Sequence, residues 1–383
     1  MSDMVLDVTR LLGRFLKGRL PTGVDRVSMA YVRHFGDRSR ALVRFGGCLI
    51  FPPDASRQLF EAVLNPSRDY HLQVAQIIAG NLFPALREQD VRGAFLFNTG
   101  HSGLERPAYP GQLRRFGVKP VFFIHDLIPI THPEYCRPGE RDKHVARMNS
   151  ALQAARGVIA NSRSTLDELE RYAARTGQTM PPCVVAPLAP PDLPAPSAAR
   201  PIAGPYFVML GTIEPRKNHL LLLQVWRTMI ARRGGQSPRL VVIGQRGWEC
   251  ENVVDLLERC ESLRGIVTEL PACTDADLAT YLRHAQALLF PSFAEGYGMP
   301  LVEALSFGLP VIASDLPAFR EIAGDIPDYL DPLDGAGWLE RVEAFADPGS
   351  PARKAQLERL PRFSAPTWTA HFRSVEEFLG QLG

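Results

Sequence analysis

The chain is poor in cysteine, with six among 383 residues, and no two stand in Cys-x-x-Cys spacing. Cys48, Cys136, Cys183, Cys250, Cys260 and Cys273 are too sparse for a disulfide framework and read as reduced thiols. No Cys/His pair has ligand spacing, which argues against a zinc site. Long apolar runs are also missing. No stretch approaches the roughly 20 apolar residues that span a bilayer, and the N-terminal MSDMVLDVTRLLGRF lacks the uninterrupted apolar run of a signal peptide. The expectation is a cytoplasmic protein, with any contact to the cytoplasmic face of the inner membrane peripheral. Charge of one sign is missing too: the formal net charge is +2, and no nucleic-acid partner is expected. The first 44 residues alone are biased, with nine Arg or Lys against four Asp. That excess suits an anionic lipid or a phosphate-bearing acceptor, or simply a solvated face.

Proline is concentrated where order is interrupted. Residues 181–205 hold nine of the 33 prolines; Pro lacks an amide donor and fixes φ, so this stretch excludes long helix and central strand. It divides the chain into a domain at 1–185, a linker at 186–204 and a domain at 205–365, with a helix at 366–383 packing back toward the first. After the linker, Tyr206–Leu210, Arg239–Ile243, Ala287–Phe290 and Leu309–Ala313 read as short buried strands. They alternate with helices over His219–Ala231, Ala276–His284 and Pro300–Phe307. The first half offers strands at Phe95–Phe97, Val121–Ile124, Val158–Ala160 and Val184–Ala186, and a helix from Ser164 through Tyr172. Alternation of this kind predicts an α/β fold with parallel sheets covered on both faces. Such sheets bind ligands at the carboxyl ends of their strands.

Two strand exits carry the chemistry. The first is Gly211-Thr-Ile-Glu-Pro-Arg-Lys-Asn218, where Arg216 and Lys217 are adjacent cations suited to neutralising a leaving group; a solvated basic turn is the plain alternative. The second begins at Phe290 and runs through Glu295, Gly296, Gly298 and Pro300 to Glu303. Amides of such a loop and of a helix N-terminus suit phosphate or sugar oxygens. The two carboxylates stand eight positions apart. A glycosidase pair needs a set separation of about 5 Å or 6.5–9.5 Å, and a different division of labour fits better. Glu295 on the loop suits a sugar hydroxyl; Glu303, one turn into the helix, suits two ribose hydroxyls or is an exposed helix carboxylate.

These residues resemble the glycosyltransferase family-four group of retaining GT-B enzymes, in its bacterial mannosyltransferase-like branch. The resemblance rests on two Glu separated by seven residues in Glu295-GYGMPLV-Glu303, on Glu214-PRKN, and on Gly308-LPVIAS-Asp315, and it is close over 206–324. It implies a GT-B fold, two Rossmann-like parallel-sheet domains facing each other across a cleft. It implies a hexosyltransferase, with a nucleotide-sugar as substrate, no cofactor and no metal. By the same resemblance Arg216 and Lys217 hold the donor diphosphate and Glu295 contacts the donor sugar. Gly211, Thr212, Gly296, Tyr297, Gly298, Met299, Pro300 and Leu301 line the donor, Glu303 binds ribose, and Leu270 lies near the base.

In the first half, His125 and Asp126 follow the strand Val121–Ile124, and the family places a His there near the reacting carbon. Asp126 either orients it or caps the next turn. Gly23 and Arg26 precede or open an amphipathic helix and match a loop that touches donor or acceptor, although the usual paired glycines are absent. The strings His125-DLI-Pro129 and Thr22-GVD-Arg26 are similar to mannosyltransferases of surface polysaccharides, which makes GDP-mannose the leading donor and a saccharide or lipid-linked saccharide the acceptor. The rival readings are a sugar-nucleotide epimerase and a non-catalytic nucleotide-sugar-binding scaffold subunit.

Overall fold

A computed structural model describes residues 4–18, 21–87 and 90–383. The chain forms two compact units, one of residues 1–130, 141–188 and 368–383, the other of residues 131–140 and 189–367.

The first unit is built on β1 (Met4–Asp7), β2 (Ser39–Arg44), β3 (Cys48–Ile50), β4 (Phe95–Asn98), β5 (Lys119–Ile124), β6 (Gly157–Ala160) and β7 (Cys183–Val185). Their order is β3-β2-β1-β4-β5-β6-β7, and every pairing is parallel except β2 with β3. Val121–Ile124 and Val158–Ala160 are buried on both faces, as continuous apolar strands of a parallel sheet are. The helix Arg163–Thr176 starts one residue before the expected Ser164. Ser162 is its N-cap, accepting from the Thr165 amide at 3.0 Å, because its extended backbone aims the hydroxyl into the first turn. The last helix, Trp368–Leu382, belongs to this unit. Phe378 and Leu382 lie where a Cβ on Gly157 would stand, and His371 meets the Tyr31 hydroxyl at 3.0 Å.

The second unit is built on β8 (Tyr206–Leu210), β9 (Arg239–Ile243), β10 (Val267–Leu270), β11 (Leu288–Phe290), β12 (Val311–Ser314) and β13 (Asp328–Leu330). All pairings are parallel, in the order β10-β9-β8-β11-β12-β13. One apolar cluster centred on Phe290, Leu301 and Phe319 covers one side, and another centred on Trp226 and Trp338 covers the other. The order reverses direction between β8 and β11, so their carboxyl ends diverge and leave a crevice, the usual ligand position of an open α/β sheet.

Two boundaries differ from the sequence reading. Residues 131–140 pack with the second unit although both flanks of the segment belong to the first. Tyr135 stacks on Phe293 and Trp248 donates to its carbonyl, contacts that no local pattern announces. Within the proline-rich stretch, Ala186, Leu188 and Ala189 are buried, so the link is packed at its start.

Candidate functional site

The loops that leave β8 and β11 meet at the crevice of the second sheet. Gly211 ends β8 with φ +137°, a conformation that favours glycine. Its carbonyl lies so close to Gly244, at the end of β9, that a Cβ there would collide with it. The chain then turns through Pro215–Lys217 into Asn218, which is left-handed at φ 58° and caps the carbonyls of Pro291 (3.2 Å) and Pro332 (2.9 Å) with its side-chain amide. Helix His219–Arg233 follows.

Four charges interlock there. Arg216 Nη2 pairs with Glu214 Oε1 at 2.6 Å and Nη1 with Glu295 Oε2 at 2.7 Å. Lys217 Nζ donates to Glu295 Oε1 at 2.6 Å, and Ser292 Oγ donates to the same oxygen at 2.8 Å. Arg216 Nη1 also donates to Ala294 O at 2.7 Å, and Phe293 N–H to Arg216 O at 2.9 Å. The side chains of Lys217 and Glu295 are each 9% exposed, so the pair is largely dry. Burial pushes the Glu295 carboxyl up, but Arg216 and Lys217 outweigh it and hold the group at about 2. Burial lowers the Lys217 ammonium, and Glu295 opposes that. Burial raises the Glu214 carboxyl against the pull of Arg216 and Lys217. The two cations assigned to the diphosphate are thus already paired, because two buried carboxylates share their loops.

The remaining donor-side residues separate into groups. Gly296 and Tyr297 lead into Gly298, left-handed at φ 112°, which caps helix Met299–Ser306. Phe319 lies where a Cβ of Gly298 would stand. Met299, Pro300 and Glu303 are half-buried on that helix, and Tyr297 is buried. The Leu301 side chain is wholly buried in the core, and its amide donates to Gly298 O at 3.0 Å. Thr212 lies against Gly247. Leu270 ends β10, on the far side of β9 from the crevice, and its carbonyl accepts from Gly244 at 3.0 Å.

In the first unit the corresponding switch point lies between β1 and β4. His125, after β5, is buried and its Nε2 sits 2.7 Å from Thr99 O, which can only accept, so Nε2 carries the proton. Its amide donates to His101 Nε2 at 3.2 Å. Burial holds the His125 imidazole down at about 4, so it is neutral near pH 7. Asp126 Oδ1 accepts from Ile128 N–H at 3.1 Å, the capping alternative. Gly23 is exposed and Arg26 half-buried at the start of helix Gly23–Phe35. Between them stands Asp25, which sequence reasoning missed. Its carboxylate is fully buried, bound by Arg10 Nε and Arg14 Nε at 2.9 Å each, and accepts from Thr22 N–H and Oγ1. The signal was available as Thr22-x-x-Asp25, a capping box with Asp in place of Glu. Among the described residues no group of three or more His, Cys, Asp or Glu could hold a metal ion.

Residues 197–326 match the family model described as glycosyl transferases group 1. The chain is 28% identical over 275 residues to the serotype-specific mannosyltransferase WbdA of Escherichia coli, which covers 66% of the chain and 34% of that relative. It is 32% identical over 222 residues to the O-antigen chain mannosyltransferase B of Escherichia coli, 56% of the chain and 58% of that relative. The chain therefore spans between a third and three fifths of the length of these relatives. Among solved structures, sucrose-phosphate synthase from Thermosynechococcus elongatus superposes with a TM-score of 0.66 at 17% identity, over 99% of this chain and 98% of that one. Anabaena Alr3699/HepE in complex with UDP gives 0.67 at 16% identity, over all of both chains. The fold is GT-B, and the match to the glycosyl transferases group 1 model lies within the second unit.

Proposed function

We propose, from that domain assignment, that the chain is a retaining hexosyltransferase that moves mannose from GDP-mannose to a saccharide or lipid-linked saccharide in surface polysaccharide biosynthesis. The observation that carries the reading is the buried Arg216–Glu295–Lys217 array at the carboxyl ends of β8 and β11. The mannosyltransferase names of the relatives support the sugar, and nothing in the comparisons supports the epimerase or scaffold alternatives.

In this reading the donor diphosphate lies against Arg216 and Lys217, sharing them with Glu295. The acceptor oxygen forms a bond to the anomeric carbon as the bond from that carbon to the diphosphate breaks. The electron pair leaves with the diphosphate, which also takes the acceptor's hydroxyl proton on the same face. Cations preset in a dry site stabilise the departing charge without reorganising. No cofactor or metal enters the scheme. Glu303 holds the ribose, while His125, as a neutral imidazole, and Gly23, Arg26 and Asp126 form the acceptor-side set.

The chain works in the cytoplasm, peripherally at the membrane face. No helix among the described residues is long and apolar enough to cross a membrane. Support for a peripheral contact comes from helix Tyr70–Leu86, which has no charged residue and exposes Leu72, Phe83 and Leu86 by 59%, 67% and 66%. An apolar helix face of this kind suits the interfacial region of a bilayer.

The test is turnover of a nucleotide-sugar panel with and without a mannose-terminated acceptor. The reading expects GDP release from GDP-mannose that rises with acceptor, and a drop of about 10²–10³ in kcat for Lys217→Ala, the scale of one lost electrostatic donor. An isomerised free sugar nucleotide without acceptor would support the epimerase instead.

A further inference from the structure

The segment 131–140 carries the structure's least anticipated contacts. Its Tyr135 ring is parallel to Phe293, with centroids 5.1 Å apart and an interplanar angle of 5°. His132 stacks on Tyr135 at 6.1 Å and 17°. Trp248 Nε1 donates to Tyr135 O at 3.2 Å, and the Arg137 guanidinium lies 5.2 Å from the Trp248 ring centroid. Pro133, Pro138 and the left-handed Gly139 (φ 80°) restrict the segment's backbone.

What the segment rests on is the floor of the charged array. Phe293 stands two residues before Glu295, and its amide donates to Arg216 O at 2.9 Å. Trp248 belongs to the loop after β9, and that loop is tied to the residue before Glu214. Ile213 N–H donates to Gln245 O and Gly247 N–H to Ile213 O, both at 2.9 Å. Tyr135 thus presses on the turn that presents Glu295 and, through Trp248, on the turn that presents Arg216. We propose that Tyr135 is a positioning residue for the donor site, its stacked ring fixing the 291–295 turn and thereby the Arg216–Glu295–Lys217 geometry. The proposal rests on the donor-site reading above. Tyr135 itself takes no part in bond making. A stacked aromatic pair adds its own orientation preference beyond the area it buries, and a misplaced charge array binds its anion less well.

The experiment is titration calorimetry of the full chain with GDP, and in parallel with UDP, comparing wild type with Tyr135→Ala, Tyr135→Phe and Trp248→Phe. Tyr135→Phe keeps the stack and should bind within about twofold of wild type, whereas Tyr135→Ala should weaken Kd about tenfold at unchanged stoichiometry. Trp248→Phe, which loses the N–H to Tyr135 O, should fall between them. A variant that merely misfolds in part would lower the stoichiometry and leave Kd unmoved. Wild-type Kd in Tyr135→Ala, with wild type binding well, overturns the positioning role and leaves the donor site standing. Wild type binding neither diphosphate would remove the donor-site reading and this role with it.

Discussion

Glu295 has about four acceptor sites on its two oxygens, and Lys217, Ser292 and Arg216 take three of them. About one is left, so what the carboxylate does in the fold is hold the two cations, and the proposed sugar contact has a single site to use. Other buried side chains at this scale are held uncharged. In the first unit burial lowers His125 and His371 to about 4 and also lowers His101. An unfolded histidine binds its proton near 6.5, so the stability these groups contribute is complete above about pH 6.5 and is lost as pH falls toward 4. Glu295 behaves differently within the acid range. Its carboxylate contributes fully above about 4.5, and loses that contribution as pH falls toward 2. Thermal unfolding followed from pH 8 to 4 should show a flat melting temperature down to about 6.5 and then a decline that steepens toward 4. A melting temperature constant from pH 6.5 to 4 would mean that these imidazoles do not stay neutral in the fold.

At the scale of elements, the strands of the second sheet were the most legible. Tyr206–Leu210 and Arg239–Ile243 coincide with the apolar runs, because a strand buried on both faces leaves an unbroken signal. The first sheet was harder to read. β1 is only four residues long, and β2, Ser39–Arg44, has polar residues at both ends that mask its buried centre. The strand-exit motifs were legible as positions but not as an ion-pair array, since no spacing rule says that Arg216 will reach Glu214 and Glu295 together. The strap at 131–140 had no periodic signal at all. The last helix, read from its apolar spacing, docks on β6 where Gly157 leaves room. A Cβ there would meet Leu382 Cδ1 at 2.6 Å and Phe378 Cε1 at 2.8 Å. Gly157→Ala should therefore destabilise the first unit by about 1–3 kcal/mol, the usual cost of overpacking. Chemical denaturation would read this as a lower midpoint, and an unchanged midpoint would show that the helix shifts freely.

For the whole molecule, two sheets of seven and six strands, parallel apart from the β2–β3 pair, account for the GT-B assignment and for the long structural likeness at low identity. The sequence likeness is narrower. The family match falls within 197–326, where the charged array, its glycine turns and the switch point of the sheet coincide. The first unit contributes a second switch point whose groups are buried histidines and a buried Asp25 carboxylate held by Arg10 and Arg14. Where the donor binds is read most directly by amide hydrogen exchange of the whole chain with and without GDP-mannose. A donor held at the carboxyl ends of β8 and β11 should slow exchange at 211–218 and 291–303. Slowing elsewhere with neither segment affected would contradict that placement.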